Sequence, residues 1–543
     1  MRARFFTLHF SFLIVYCLLS TAYCFSQPKL VIGIVVDQMR YDYIHKYWNK
    51  FGTDGFKKLV NEGFSCNNTN YNYVPTFTGP GHSAIYTGTT PSVNGIVGNE
   101  WYDRETRKPI YCVDDKTVIT LGSGTDAGKM SPQNLLSPTI GEVLRVSSNN
   151  KSKVIGIALK DRGAILPAGH NATAAYWYDA SNGSWITGTY YMKELPAWVS
   201  DYNKTGSAKK YLARQWNTLL PIEQYTESDA DDNVCEQSYK GKEKPTFSYY
   251  LDSLMKNNGG LGLLRSTPFG NSFTKDFAVE TVKKENLGKG DAADMLCVSF
   301  SSTDYIGHQF GPQSIEVEDC YLRLDRDIAD LLKFLDQWVG KNNVLLFLTA
   351  DHGAGESVPC LQKKNIPAGV LDEKTVSDSL KKFYWRTYRD SLLMKVLDFQ
   401  VYLYKGKILG KKLSIKKVQD TTAHYLMKLT GISDAITSGA IQEQDYKESI
   451  QAKVKRGFYP QRSGDVIFVL KPNWLEDYHK GTTHGSPYEY DTHVPLLWWG
   501  YHVDKGSSDE SITITQIAPT ISMMLKIPPP ADCRTSVIQS MLK

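Results

Sequence analysis

The chain has 543 residues with 62 Lys or Arg against 57 Asp or Glu, a formal net charge of +5 that argues for no particular partner. Seven cysteines lie beyond residue 26: Cys66, Cys112, Cys235, Cys297, Cys320, Cys360 and Cys533. An odd count at scattered spacings implies at least one free thiol and excludes a disulfide framework or a Cys-based zinc site.

Met1-Arg-Ala-Arg4 is a short basic lead, Phe5 to Ser20 is mostly apolar, and the chain turns polar by Ser26-Gln-Pro-Lys29. The apolar run is short for a membrane span, so residues 1–26 are predicted to be a cleaved secretory signal. Tyr23 before Cys24 breaks a lipobox. No later apolar run is long enough to cross a bilayer, and the mature chain of about 520 residues is expected to be soluble and periplasmic or secreted. That length suffices for one large core with inserted segments.

Leu30–Val36 is a continuous apolar run ending at Asp37. Val74-Pro-Thr-Phe-Thr78-Gly-Pro-Gly-His82 follows, loop punctuation and then an opening helix, which puts the Thr78 hydroxyl at a helix N-terminus where an anion is favoured. Ser137-Pro138 is read as a cap and N1 proline starting another helix. Val154–Ala158 is a short apolar run leading to Lys160-Asp-Arg162, and Met295–Phe300 leads to Asp304. Ile315–Val339 has apolar residues at three-and-four spacing, a helix stopped by Gly340. Val344–Leu348 leads to Asp351-His352, and Val494–Trp499 follows His484.

Unalternating apolar runs separated by helices predict an α/β fold whose central, mostly parallel β-sheet is sandwiched by helices. Residues 27–543 are expected to form one catalytic domain. Segments near 163–288 and 355–464, rich in Tyr, Trp and Lys, interrupt the pattern and are read as inserted loops and small caps. Lys405, Lys407, Lys411, Lys412, Lys416 and Lys417 cluster in the second; with no accompanying motif they read as a solvated face, and no nucleic-acid-specific binding is expected. Gly259-Gly-Leu-Gly262 has no preceding apolar strand and is no dinucleotide loop.

In open α/β sheets ligands bind beyond the carboxyl ends of the strands, where Asp37, Asp304 and Asp351 all fall. Asp304 and His308 are four residues apart, close enough to share an ion. Asp351-His352 follows a strand end, and His484 lies in a Thr-Gly loop. Together these are the Asp/His mixture that zinc accepts.

Asp37, Thr78-Gly-Pro-Gly-His82, Asn94-Gly-Ile-Val-Gly-Asn99, Asp304-Tyr-Ile-Gly-His308, Ala350-Asp-His-Gly353 and Thr483-His-Gly485 together resemble the Thr-nucleophile members of the alkaline phosphatase superfamily. The resemblance is nearest to the phosphate-irrepressible, broad-specificity alkaline phosphatases of Bacteroidetes. It implies two Zn²⁺: one held by Asp304, His308 and His484, the other by Asp37, Asp351, His352 and the Thr78 oxygen. It also implies that Thr78 is the nucleophile of a phospho-threonine intermediate, that Asn99 contacts the phosphoryl oxygen, and that His82 is structural. Lys160 and Arg162 match the pair that monoesterases place over the phosphoryl group, and the Lys160 ammonium takes the place of a third metal.

Two extra positive charges suit a dianionic monoester better than a monoanionic diester. The expected substrates are therefore small phosphorylated metabolites, and the expected protein is a monomer. The nucleotide pyrophosphatase/phosphodiesterase branch is the alternative, since it shares Thr and Asn; Lys160 and Arg162 weigh against it. Sulfatases need a Cys or Ser in a Cys/Ser-x-Pro-x-Arg context, which Thr78-Gly-Pro-Gly-His82 does not supply. A phosphotransferase and a non-catalytic binding protein are the remaining alternatives.

Overall fold

Seven apolar residues in succession, Leu30–Val36, have no face to offer water, and the fold buries all of them. A computed structural model describes residues 27–542; the segment read as a secretory signal lies outside the described residues. In chain order the elements that position the site are β1 (Leu30–Val36), β2 (Phe64–Cys66), α1 (Thr78–Thr87), β3 (Thr120–Leu121), β4 (Val154–Ala158), α2 (Asp161–Ala168), β5 (Ala174–Asp179), β6 (Ser184–Gly188), α3 (Phe269–Lys284), β7 (Asp294–Phe300), α4 (Ser302–Phe310), α5 (Ile315–Trp338), β8 (Val344–Thr349), β9 (Leu496–Gly500) and β10 (Gly506–Ser508).

The ten strands form one sheet in the order β10-β2-β9-β8-β1-β7-β4-β5-β6-β3. Its centre, β8-β1-β7-β4-β5, is parallel throughout. Antiparallel strands join on each side, β9 against β8 and β6 against β5. The expected α/β sheet is therefore present, with mixed margins. Val494–Trp499 contributes most of β9, whose Trp498 and Trp499 are wholly buried.

Two expectations shift. The helix expected from Ser137-Pro138 begins at Ile140, because Thr139 is the cap: its hydroxyl accepts the Glu142 N–H while the Glu142 carboxylate accepts that of Thr139. The stretch 163–288, read as inserted loops and caps, gives β5 and β6 to the main sheet. On one face Tyr178 and Trp185 pack on Phe273 and Phe277 of α3, while Trp177 is buried on the other face with Ile165 and Ile186.

The second interruption builds its own layer. Leu393–Leu397, Gln400–Leu403, Val466–Leu470 and Ile432–Thr437 pair in that order as an antiparallel sheet. With helices Glu373–Tyr388 and Ile415–Leu426 it encloses a separate core that includes Val376, Leu380, Val401 and Leu426. This lobe runs to Leu470, past the expected 464.

One disulfide forms, Cys235–Cys360, closing 125 residues of chain. The scattered spacing implied no disulfide framework and left the pairing open, since sequence gives no distance between such remote cysteines. Cys66, Cys112, Cys297, Cys320 and Cys533 are free and buried, so the expected free thiols are present and Cys297 is a core thiol. Among the described residues no helix is long and apolar enough to cross a membrane.

Candidate active site

Parallel strands lie about 4.8 Å apart, so side chains leaving the same end of successive strands stand in a row. Here β8, β1, β7 and β4 are consecutive and their carboxyl ends carry Asp351, Asp37, Asp304 and Lys160 in that order. Lys160 therefore reaches both the adjacent position and the next. Its Nζ donates to Asp304 Oδ2 at 2.6 Å and lies 2.7 Å from Asp37 Oδ2. It also stands 3.4 Å from the Thr78 hydroxyl.

Thr78 is the first helical residue of α1, and the cap position before it is Phe77 in extended conformation. The Thr78 hydroxyl makes no capping bond, so it is not consumed by the helix it opens. A helix start can come this close to the strand ends because of Gly81, where a Cβ would stand 2.3 Å from the Asp351 carbonyl oxygen. Arg162 brings Nη2 to 3.4 Å from the same hydroxyl and is braced through Nη1 by the Tyr111 hydroxyl at 3.0 Å. The Gly79 N–H donates to Asn99 Oδ1 at 2.8 Å, which fixes the Asn99 amide beside Thr78. Asn99, Lys160 and Arg162 thus converge on Thr78.

The imidazoles complete the row. His308 Nε2 is 3.1 Å from Asp304 Oδ1, and its Nδ1 is 2.8 Å from the Thr482 carbonyl oxygen. His484 Nδ1 is 2.7 Å from the Thr76 carbonyl oxygen, which turns Nε2 toward Asp304 Oδ1 at 3.7 Å. His352 stacks on His484 with centroids 3.5 Å apart, and its Nε2 lies 3.6 Å from Asp37 Oδ1. Ligand atoms of Asp37, Asp351 and His352 fall within 4.8 Å of one another, as do those of Asp304, His352 and His484. His352 thus belongs to both groups, while His308 approaches through Asp304.

Electrostatics follow from burial and crowding. Burial, then the Asp351 charge, raises the Asp37 carboxyl well above the usual range, with Lys160 opposing. Asp304 is pulled well below that range because His308 and Lys160 outweigh its burial, and His352 and His82 do the same for Asp351. Burial keeps His352 and His484 below the ordinary imidazole value, leaving them neutral with free nitrogen lone pairs. Asp304 and Asp37 outweigh burial at Lys160 and hold it charged.

The donor set fits a pair of divalent metal ions. Asp37 Oδ1 and His352 Nε2 are buried with no hydrogen-bond partner among the described residues. Unpaired acceptors in a dry site are costly unless a cation meets them. Carboxylate oxygen and imidazole nitrogen together are zinc-type ligands.

His82 lies behind the row, against Asp351 and the first turn of α1. Its Nδ1 is 2.9 Å from the Thr78 carbonyl oxygen and 3.3 Å from Asp351 Oδ2, and its Nε2 is 3.0 Å from Ser299 Oγ. Sequence reasoning missed three supports. Gln38 donates through Nε2 to Asp304 Oδ1 at 2.8 Å and through its N–H to Asp351 Oδ1 at 3.2 Å. Tyr111 braces Arg162 and also donates to Asp161. Tyr478 stacks on His308, centroids 4.9 Å apart. Only adjacency to Asp37 could have pointed to Gln38; the tyrosines carry no motif.

Comparisons with known proteins agree with this geometry. Residues 31–495 match the family described as type I phosphodiesterase / nucleotide pyrophosphatase. Alkaline phosphatase PhoV of Synechococcus elongatus is 43% identical over 518 residues, 95% of this chain and 94% of that protein. Alkaline phosphatase PafA of Elizabethkingia meningoseptica is 44% identical over 503 residues, 92% of each chain. The crystal structure of wild-type PafA superposes with a TM-score of 0.92 at 42% identity, covering 95% of this chain and 99% of that one. A murine ectonucleotide pyrophosphatase/phosphodiesterase 5, at 14% identity and a TM-score of 0.52, shares the fold. With all but the ends of the chain matched, and with the metal-type row on the strand ends of a shared fold, the protein belongs to the type I phosphodiesterase / nucleotide pyrophosphatase family, within the alkaline phosphatase superfamily.

Proposed function

We propose that the protein is an alkaline phosphatase that hydrolyses phosphate monoesters by way of a covalent phosphoryl group on Thr78. The observation that carries the substrate class is the placement of Lys160 Nζ and Arg162 Nη2, each 3.4 Å from the Thr78 hydroxyl. A phosphoryl group arriving there meets two cations, which favours the dianion of a monoester. The relatives named as alkaline phosphatases, similar over nearly the whole chain, support the same activity.

The chain's own residues have distinct roles in this reading. The Thr78 oxygen attacks phosphorus, forming the Oγ1–P bond as the bond to the leaving alcohol breaks; water then cleaves Oγ1–P and phosphate departs. Asn99, pinned through Oδ1 by the Gly79 N–H, presents its amide hydrogens to a phosphoryl oxygen. Lys160 and Arg162 hold the other equatorial oxygens and offset their charge. His82 locks the first turn of α1 through the Thr78 carbonyl.

Asp37, Asp351 and His352 with Thr78, and Asp304, His308 and His484, would hold two zinc ions. When bound, these ions lower the pKa of a coordinated hydroxyl and neutralise charge on the attacking and leaving oxygens. Export across the inner membrane, directed by residues 1–26, and a monomeric state belong to the same reading.

The test is the ratio of kcat/KM for an aryl phosphate monoester and its diester, in wild type and in Lys160→Ala/Arg162→Ala. A strong monoester preference that the double variant largely loses supports the assignment. A wild-type preference for the diester moves the protein to the phosphodiesterase reading, which the family description keeps open.

A further inference from the structure

Residues 229–236, Asp-Ala-Asp-Asp-Asn-Val-Cys-Glu, carry four carboxylates in one short segment. The fold sets them against a fifth, Glu316, in the first turn of α5. Glu236 is 2% exposed and Glu316 is fully buried. The Tyr249 hydroxyl donates to Glu316 Oε1, yet Oε2 of each glutamate is buried with no hydrogen-bond partner among the described residues. Glu236, Asp229 and Asn233 also line a narrow, closely packed recess with Gln313 and Glu356.

The nearby cations are engaged elsewhere. Lys244 pairs with Asp232 at 2.5 Å, and Lys242 turns to the Ser248 carbonyl and the Tyr249 ring. Arg40 pairs with Glu356, and Lys50 with Glu227 and Glu318. Burial pushes both glutamates well above the ordinary carboxyl range, and the Glu316 charge adds to the rise at Glu236. Ionising both without a counter-charge is strongly unfavourable.

We propose that Glu236 and Glu316 form a binding site for a hard divalent cation, Ca²⁺, that fastens the 229–249 segment to the start of α5. The donors on offer are oxygens from Glu, Asp, Asn and Gln. No imidazole lines the recess, and the two cysteines there are joined as a disulfide. Such a set excludes zinc and copper. Calcium, with six to eight adaptable oxygen ligands, suits a loop-built site better than magnesium with its rigid octahedron.

The segment so fastened braces the active site from outside. The Gln237 N–H donates to the Gln309 carbonyl at 2.9 Å, next to His308, and the Gly481 N–H donates to the Cys235 carbonyl at 2.7 Å, three residues before His484. The ion thus supports the end of α4 that bears His308 and the loop that bears His484 while touching neither substrate nor ligand.

The zinc-loaded protein, equilibrated at mildly alkaline pH with radioactive Ca²⁺ on the order of 1 mM and excess Mg²⁺, is expected to retain one Ca²⁺ per chain and to melt at higher temperature than without it. Glu236→Gln/Glu316→Gln should bind none and lose the calcium-dependent rise, while keeping basal hydrolysis. Should the double variant not fold, Glu236→Gln alone serves, with binding expected to weaken at least tenfold. Absence of bound Ca²⁺ in the wild type overturns the proposal, as does equal binding by the variant.

Discussion

Phe399 of the lobe stacks on Phe77, ring centroids 6.1 Å apart at 19°, and Phe77 is the residue immediately before Thr78. The Phe77 ring in turn meets His484 edge-on at 5.5 Å. Phe399 and Asp398 both have positive φ, at 63° and 48°, and form the two-residue turn between strands Leu393–Leu397 and Gln400–Leu403. At Gly485, with φ of +119°, a Cβ would stand 2.7 Å from the Phe77 ring and 2.8 Å from Phe399. The lobe thus holds the neighbour of Thr78 by one ring.

Phe399→Ala removes that ring and should lower kcat/KM for an aryl monoester about fivefold, since an aromatic pair contributes about 1 kcal/mol. Metal content should stay at the wild-type level. Unchanged kcat/KM would show that the lobe does not steady Thr78.

Thr78→Ala should lose hydrolysis by on the order of 10³-fold or more. Metal analysis of the same preparation should show near-normal occupancy, because the carboxylates and imidazoles are untouched. Thr78→Ser keeps an oxygen and should retain a large share of turnover. Substantial activity in the Ala variant would reassign the nucleophile.

Gln38→Ala unpins Asp304, which stands between Asp37 and Lys160 in the row. Outer residues that orient metal ligands typically alter affinity or activity by about 10–100-fold. A chelator competition assay should therefore show weaker metal retention, with secondary structure unchanged by circular dichroism. Retention equal to wild type would make Gln38 a packing residue only.

Asp327 predicts a pH effect remote from the site. Burial pushes its carboxyl up to about 7, against the opposing Ser272 hydroxyl at 2.7 Å and Lys275. The folded pKa lies above the unfolded one, so between the two values the unfolded chain gives up its proton first. Stability from this group is therefore present below the unfolded value and is lost as pH rises from about 4 toward about 7. The change from 3.8 to about 7 corresponds to an upper bound of roughly 4 kcal/mol. Asp327→Asn has no proton to lose. Its urea midpoint should gain on the wild type between pH 5 and pH 8; parallel midpoints would count against the argument.

The strands that lead to Asp37, Asp304 and Asp351 were legible because each is a largely apolar run followed closely by a carboxylate, a pattern that suits a doubly covered parallel sheet. Lys160 was legible for the same reason, at the end of Val154–Ala158. Strands β5 and β6 were not, since buried Tyr178 and Trp185 resemble the aromatic surface of a cap when read without their partners Phe273 and Phe277. Gln38 escaped notice because one amide among many carries no spacing. Cys235 and Cys360 could not be paired in advance, as only the folded chain brings them together. The reach of Phe399 to Phe77 likewise depends on the lobe's docking.

The Asp and His side chains that converge on Thr78 begin at Asp37 and end at His484, and they come from the ends of three neighbouring strands and from a loop near the end of the sheet's last strands. No fragment that stops short of His484 can gather them, and β8, which leads to Asp351 and His352, is flanked by β9 from residues 496–500. Assembly of the centre is therefore a report on completion of the whole chain: a product truncated before β9 lacks a wall of the sheet that sets the row.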